Sequence, residues 1–150
     1  MNAISRRNLI ALSAFAARQT AQAGPLPEPE KPKALSASEV FSPDQVLPIT
    51  TTNGTQRWEI LQGALATGET IAVHQSLQPA GIAPNPLHTI QHSELILVHE
   101  GTLLFEHDGR SEKISAGGVI FVALGTKHAA RNVGDGPARY LVIAIGGDTK

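Results

Sequence analysis

The sequence of 150 residues contains no cysteine. This absence excludes disulfide bonds, thiolate nucleophiles, iron–sulfur clusters and the cysteine-based structural zinc sites. Any metal ion must therefore be bound through nitrogen and oxygen atoms.

The sequence also lacks a basic cluster and a long hydrophobic run. Three of the 12 basic residues and none of the 13 acidic residues precede position 24, so residues 24–150 have nine basic against 13 acidic residues and a net charge of −4. A mildly acidic surface argues against nucleic acid and anionic lipid as partners. The apolar run from Leu9 to Ala17 is far shorter than the roughly 20 residues that span a bilayer.

Glycine and proline are abundant, with 14 and 10 residues, and this composition favours turns and short strands in a single domain. The sequence predicts an all-β fold, a sandwich or barrel. Asp108-Gly109 predicts a tight hairpin turn, and Ser42-Pro43-Asp44-Gln45 predicts one helical turn with a capping serine. Six segments rich in β-branched, aromatic or leucine residues are predicted strands: 57–65, 70–77, 93–99, 102–107, 119–122 and 139–145.

The N-terminal region predicts export. Residues 1–23 combine Arg6-Arg7, a short apolar run and the small residues of Ala21-Gln22-Ala23, as in a twin-arginine signal peptide. An ordinary secretory signal is the alternative, and both predict a periplasmic or extracellular protein. Residues 24–38 are rich in proline and are predicted to be a linker, which leaves residues 39–147 for the barrel.

Two groups of motif residues follow. The first consists of Gly81, His88, Glu94 and Gly101, and the second of Gly117, Gly125, His128 and Asn132. Their order and spacing resemble the two motifs of the cupin superfamily, in its small single-domain form. Three departures stand out: the spacing from Gly81 to His88 is one residue longer, Ala123 replaces a proline, and Ile90 replaces the second histidine of a His-x-His pair.

The resemblance implies a single cupin jelly-roll barrel of antiparallel strands. It also implies one metal ion bound by His88, Glu94 and His128, whereas Ile90 cannot bind a metal. Alternate residues of a strand share a face, so His92 would share the face of Glu94. We therefore expect His92 to replace the missing ligand, with Glu94 as a fourth ligand, an outer partner or the catalytic carboxylate.

Imidazole and carboxylate ligands suit one transition-metal ion per chain. Copper is preferred outside the cytoplasm because it outcompetes most divalent ions for nitrogen ligands, and manganese or iron comes next. The resulting expectation is an exported copper-dependent (or Mn- or Fe-dependent) oxidoreductase that acts on a carbohydrate or plant-derived substrate. Two alternatives stay open: a non-catalytic cupin that binds a sugar or other small ligand, and a redox-neutral metal isomerase or lyase in which Glu94 or His92 moves a proton. The family resemblance also implies a homodimer.

Several other residues carry weaker expectations. His74 either lines the pocket or is simply packed or solvated, and the second interpretation is favoured. His99 and His107 are expected to be exposed near hairpin ends. Phe105, Phe121 and Tyr140 are expected in the core. A polar rim at the barrel mouth is expected from the following residues: Gln62, Gln75, Gln78 and Asn85.

Overall fold

A computed structural model describes residues 32–147, which form two β-sheets. Within this range the only helical element is a short 3-10 turn at Pro43–Gln45. The model shows no helix in these residues that is long and apolar enough to cross a membrane. The predicted export signal, residues 1–23, and the first part of the predicted linker lie outside the described residues.

The larger sheet has the strand order β1-β3-β4-β11-β6-β9, with β2 also paired to β3, and the smaller sheet has the order β5-β10-β7-β8. All pairs are antiparallel except β1 with β3. The all-β barrel predicted from the sequence is confirmed. The strands are β1 Ala34–Leu35, β2 Ile49–Thr50, β3 Gln56–Leu65, β4 Thr70–Gln78, β5 His88–Thr89, β6 Ser93–Glu100, β7 Thr102–His107, β8 Arg110–Ser115, β9 Val119–Val122, β10 Lys127–Asn132 and β11 Ala138–Ile145.

Side-chain alternation explains where the core lies. In β6 and β11 every second residue is buried, so one face of the larger sheet packs inward. The inward side chains of both sheets form one apolar cluster, and removing this area from water drives the sheets together. Its buried members are Ile90, Ile96, Val98, Leu103, Phe105, Ile120, Val122, Ala138, Tyr140 and Val142.

The six predicted strands are all present, and each end lies within one residue of its prediction. The predicted turn is also confirmed, because Asp108 and Gly109 both have positive φ and join β7 to β8. Strands β8 and β10 were not predicted, and neither were the two-residue strands β1, β2 and β5. The sequence of β8, Arg110–Ser115, is almost wholly exposed and shows no apolar alternation, so it forms a strand only because β7 provides hydrogen-bond partners.

Some local expectations were wrong. Phe121 is 66% exposed, because β9 turns Ile120 and Val122 inward and Phe121 outward. His107 is half-buried rather than exposed, since its ring stacks on Phe105 with centroids 4.6 Å apart. The predicted helical turn follows Ser42, but the serine side chain makes no capping hydrogen bond.

The barrel was predicted to begin at residue 39, but a short strand of the larger sheet precedes that position. Ala34 and Leu35 form β1 and pair with Ala64 and Leu65 of β3. The ordered sheet therefore begins within the segment assigned to the linker.

Gln78 was expected at a polar rim but is only 2% exposed. Its side-chain amide donates to Tyr140 Oη at 2.9 Å and to Ala130 O at 3.2 Å, and its Oε1 accepts from Asn132 N at 2.8 Å. Asn132 Nδ2 in turn donates to Gln78 O at 3.0 Å. Because Gln78 belongs to the larger sheet and Asn132 to the smaller, this buried network joins the two sheets.

Candidate metal site

A pocket of about 440 Å³ lies between the two sheets. Strands β3, β4, β6 and β11 of the larger sheet and strands β5 and β10 of the smaller sheet line it, together with the loop residues Thr51, Thr55, Asn85 and Pro86. Its volume is within the range of small-molecule sites. All four residues predicted to bind a metal line this pocket: His88, His92, Glu94 and His128.

Strand pairing and a sheet crossover bring these four side chains together. His88 of β5 is the direct cross-strand partner of His128 of β10, and their ring centroids are 4.6 Å apart. The chain then passes from the smaller sheet to the larger, with His92 in the bend before β6. Glu94 follows on the inward face of β6, opposite Val122 of β9.

The carboxylate of Glu94 lies between two imidazoles. Its Oε1 is 2.9 Å from His92 Nε2, and its Oε2 is 3.6 Å from His128 Nε2. Both His92 and Glu94 are only 9% exposed, and His128 is more deeply buried. A buried charge of this kind is retained only where polar partners compensate for the lost hydration.

Electrostatics favour an ionised Glu94. Burial alone raises the pKa of a carboxyl group, but the close polar contacts and charges of the His128 and His92 rings lower the pKa of Glu94 below its ordinary value. Burial likewise lowers the pKa of His128, but the contacts with Glu94 and with the Thr126 carbonyl outweigh it and raise the pKa of His128. The negative charge of Glu94 and a positive charge on His128 therefore stabilise each other.

Backbone carbonyls fix the orientation of two of the rings. His128 Nδ1 donates to Thr126 O at 3.1 Å, and His88 Nδ1 donates to Pro86 O at 3.2 Å. A carbonyl oxygen can only accept, so Nδ1 carries the proton in both rings, and in the neutral form Nε2 carries the lone pair. Histidines that bind metals are commonly held in this way.

These residues fit a metal ion by their chemistry. In the described residues, no group of three or more His, Asp or Glu side chains has its donor atoms arranged around a common metal position. Glu94 instead pairs with His92 at 2.9 Å and lies 3.6 Å from His128. Three imidazoles, two of them with Nδ1 fixed by a carbonyl, and one ionised carboxylate remain a suitable nitrogen and oxygen donor set.

Ile90 occupies the position where a histidine was expected. It is buried, belongs to the apolar core cluster and contributes an apolar patch to the pocket wall. The polar side chain that reaches the site from this segment is that of His92.

The pocket also contains residues that the sequence analysis did not assign to a site. Arg57, Thr55, Ser76 and Tyr140 line it, and so does His74, against the favoured expectation. Burial, followed by the charge of Arg57, lowers the pKa of His74 to about 4, although Glu94 acts in the opposite direction. For His74, the sequence feature that could have predicted a place in the pocket is its alternation with Ala72 and Ser76 on one face of β4. No motif in the sequence marks Arg57 or Thr55.

Comparisons with known proteins agree with this architecture. Residues 73–144 match a family model described as the cupin domain. A comparison of the sequence with curated proteins gave no match.

Many solved structures share the fold. A predicted oxalate decarboxylase from Thermotoga maritima is similar with a TM-score of 0.61 and 19% identity, over 72% of this chain and 99% of that one. An RmlC-like cupin from Shewanella frigidimarina has a TM-score of 0.58 and 21% identity, over 75% and 95% of the two chains. The polyketide cyclase RemF from Streptomyces resistomycificus has a TM-score of 0.57 and 15% identity, over 76% and 87%. At these identities the likeness shows a common fold.

Proposed function

We propose that this chain, which carries a cupin domain over residues 73–144, binds one transition-metal ion and catalyses redox-neutral proton-transfer chemistry on a small oxygen-bearing substrate. His88, His92 and His128 would bind the metal, and Glu94 would be the catalytic carboxylate. One observation carries the proposal: the carboxyl group of Glu94 lies between His92 and His128 inside a pocket large enough for a small molecule.

The roles of the side chains follow from their contacts. The Nδ1 hydrogen bonds of His88 and His128 leave the Nε2 atoms of these rings as the nitrogens that would hold a metal. If bound there, a divalent metal would supply Lewis-acid polarisation of a substrate oxygen. Because its pKa is lowered, Glu94 is ionised at neutral pH and can accept a substrate proton at a carboxylate oxygen. Ile90 and Ile96 give the wall apolar surface that limits water near that proton.

Redox-neutral chemistry is the version that we favour. Two of the similar structures carry the names of a predicted decarboxylase and a cyclase, and neither name denotes an oxidation. The exported copper-dependent oxidoreductase acting on a carbohydrate or plant-derived substrate is the second candidate, because three imidazole donors also suit copper. Oxygen uptake separates the two, since a lyase or isomerase turns over its substrate in anaerobic buffer and an oxidase does not.

Metal titration of the full chain tests the proposed site. We expect about one Mn, Fe, Cu or Zn ion per chain, measured by calorimetry and elemental analysis. His88→Ala, His92→Ala and His128→Ala should each weaken binding by more than ~100-fold, since loss of an outer partner alone typically costs 10- to 100-fold. His99→Ala is the matched control, because His99 is exposed and does not line the pocket.

Two results would contradict the assignment. Sub-stoichiometric binding of every metal would remove the proposed function, and unchanged affinity in His92→Ala would remove His92 from the ligand set. Glu94→Gln separates the two roles of the carboxylate. If Glu94 is a catalytic group, Glu94→Gln should keep its metal affinity and lose turnover. If Glu94→Gln loses as much metal affinity as the histidine variants, Glu94 is a ligand.

A further inference from the structure

Arg57 gives the pocket a positive charge from a residue outside the predicted ligand set. Arg57 of β3 pairs with Ser76 of β4, and Ser76 pairs with Tyr140 of β11. Cross-strand partners share a face of the sheet, and Ser76 and Tyr140 are buried, so Arg57 lies on the inward face. Among the described residues that line the pocket, Arg57 is the only lysine or arginine.

The guanidinium of Arg57 retains unused hydrogen-bonding capacity. Its Nε atom is buried and makes no directed hydrogen bond within the described residues, although Glu59 Oε1 lies 2.6 Å away as an ion-pair partner. An arginine side chain offers five N–H donors in a fixed planar arrangement. One exposed carboxylate beside Nε therefore leaves donors for a second anion.

A second unpartnered group lies close by in sequence. Thr55 is 4% exposed, lines the same pocket, and its Oγ1 has no hydrogen-bond partner in the described part of the chain. A buried hydroxyl without a partner is costly, and Thr55 precedes the first residue of β3 by one position. The unpartnered hydroxyl of Thr55 and the half-exposed guanidinium of Arg57, whose Nε pairs with Glu59, thus line one pocket from neighbouring positions of the chain.

This edge is within electrostatic range of the metal site. Burial is the main cause that lowers the pKa of His74, and the charges of Arg57 and Glu94 also affect it. Burial is likewise the main cause that raises the pKa of Tyr140, and the same two charges affect that pKa as well. His74 and Tyr140 also line the pocket. The positive charge and the histidine cluster therefore flank one continuous cavity.

We propose that Arg57 and Thr55 form a subsite for the carboxylate of a small hydroxy- or oxo-carboxylic acid. The guanidinium pairs with the carboxylate in the bidentate manner that its geometry favours, and the Thr55 hydroxyl donates to the same group. The hydroxyl or oxo oxygen of the acid then lies towards His88, His92 and His128. This second half of the inference rests on the proposed function, whereas the carboxylate subsite itself does not require a metal.

Calorimetric titration of the full chain with matched acids and alcohols tests the subsite. The probes are glycerate with its neutral counterpart glycerol, and gluconate with glucitol, each with metal-free and metal-loaded protein. We expect the acids to bind and the alcohols to bind much more weakly. Arg57→Gln should weaken acid binding by about 10- to 100-fold, as expected for loss of a charge-assisted contact, with a smaller loss in Arg57→Lys and in the nearly isosteric Thr55→Val.

Arg139→Gln is the control, because Arg139 pairs with Glu100 and does not line the pocket. If neither acid binds the wild-type chain more tightly than Arg57→Gln, the subsite is wrong even when the metal binds. If no metal binds but glycerate binding still depends on Arg57, the subsite stands and the proposed function fails. Circular dichroism checks each variant, and Arg57→Lys and Thr55→Val decide the question if Arg57→Gln does not fold.

Discussion

At the scale of single residues, the site depends on opposite shifts in two histidines. Contacts with Glu94 raise the pKa of His128 despite its burial, while burial and the charge of Arg57 lower the pKa of His74 to about 4. At neutral pH, His74 is therefore a neutral polar group in the pocket that Arg57 and the candidate metal ligands also line. Such a group can accept or donate a hydrogen bond without adding to the charge of the pocket.

The shift of His74 predicts how stability depends on pH. Between pH 6.5 and about 4 the unfolded chain binds a proton at His74 that the folded chain does not. The free energy of unfolding should therefore fall as the pH falls, by up to about 1.4 kcal/mol per pH unit from this group. Urea unfolding of the wild type and of His74→Gln should show a shallower pH dependence in the variant, with His99→Gln as control. An NMR titration that places the His74 ring near 6.5 would contradict this prediction.

His92 was predicted to line the site from alternation along a strand, and this argument did not include the crossover between the two sheets. Alternation along one strand indicated that His88, Ile90, His92 and Glu94 share a face. In the structure these residues do not form one strand, because β5 ends at Thr89 in the smaller sheet and β6 begins at Ser93 in the larger. All four side chains still line one pocket, since the crossover itself bends the chain around it.

At the scale of elements, the pairing between strands determines which side chains come together at the site. Strand β10 carries His128 near one end and Asn132 at the other, and it pairs with both β5 and β7. The motif histidine faces the site, and the motif asparagine belongs to the network with Gln78. One strand thus connects the candidate metal site to the contact between the two sheets.

The Gln78 network gives a prediction at this scale. Gln78→Ala removes the side-chain acceptor of the Asn132 N–H and the donor to Ala130 O and Tyr140 Oη. Each buried polar group left without a partner costs about 1–3 kcal/mol, so we expect unfolding to become easier by about 2–5 kcal/mol in urea denaturation. Gln75→Ala on the outer face of the same strand is the control and should change little. A loss below about 1 kcal/mol in Gln78→Ala would show that the network contributes little.

At the scale of the whole molecule, the larger sheet has an apolar outer patch. It consists of Leu95 and Leu97 of β6 with their cross-strand partners Phe121 and Val119 of β9. Phe121 and Val119 are 66% and 57% exposed, and β9 is an edge strand. Exposed apolar surface of this kind commonly marks an interface between proteins.

We predict that this patch is the interface of a homodimer, as the family resemblance implies. Phe121→Glu places a charge at the centre of the patch and should weaken dimerisation by at least about 10-fold, because an unpaired charge is costly to bury. Sedimentation velocity over a concentration series measures the effect. Val40→Glu is the control, since Val40 is 89% exposed and lies outside the sheets. A wild-type chain that stays monomeric, or a Phe121→Glu variant that dimerises normally, would contradict the prediction.

The sequence by itself determined the fold class and the six main strands, and it indicated the four candidate metal ligands. It could do so because alternation and turn residues are local signals, and because the order of Gly81, His88, Glu94 and His128 matches two known motifs. The absence of cysteine likewise restricted any metal site to nitrogen and oxygen donors.

Only the tertiary structure decided which polar side chains share the pocket. Arg57, Thr55 and Tyr140 come from different parts of the chain, and their proximity depends on the pairing of β3 with β4 and of β4 with β11. It also decided that Gln78 is buried and Phe121 exposed, against expectation. These outcomes depend on which face of each strand the second sheet covers, and long-range packing sets that choice where local sequence cannot.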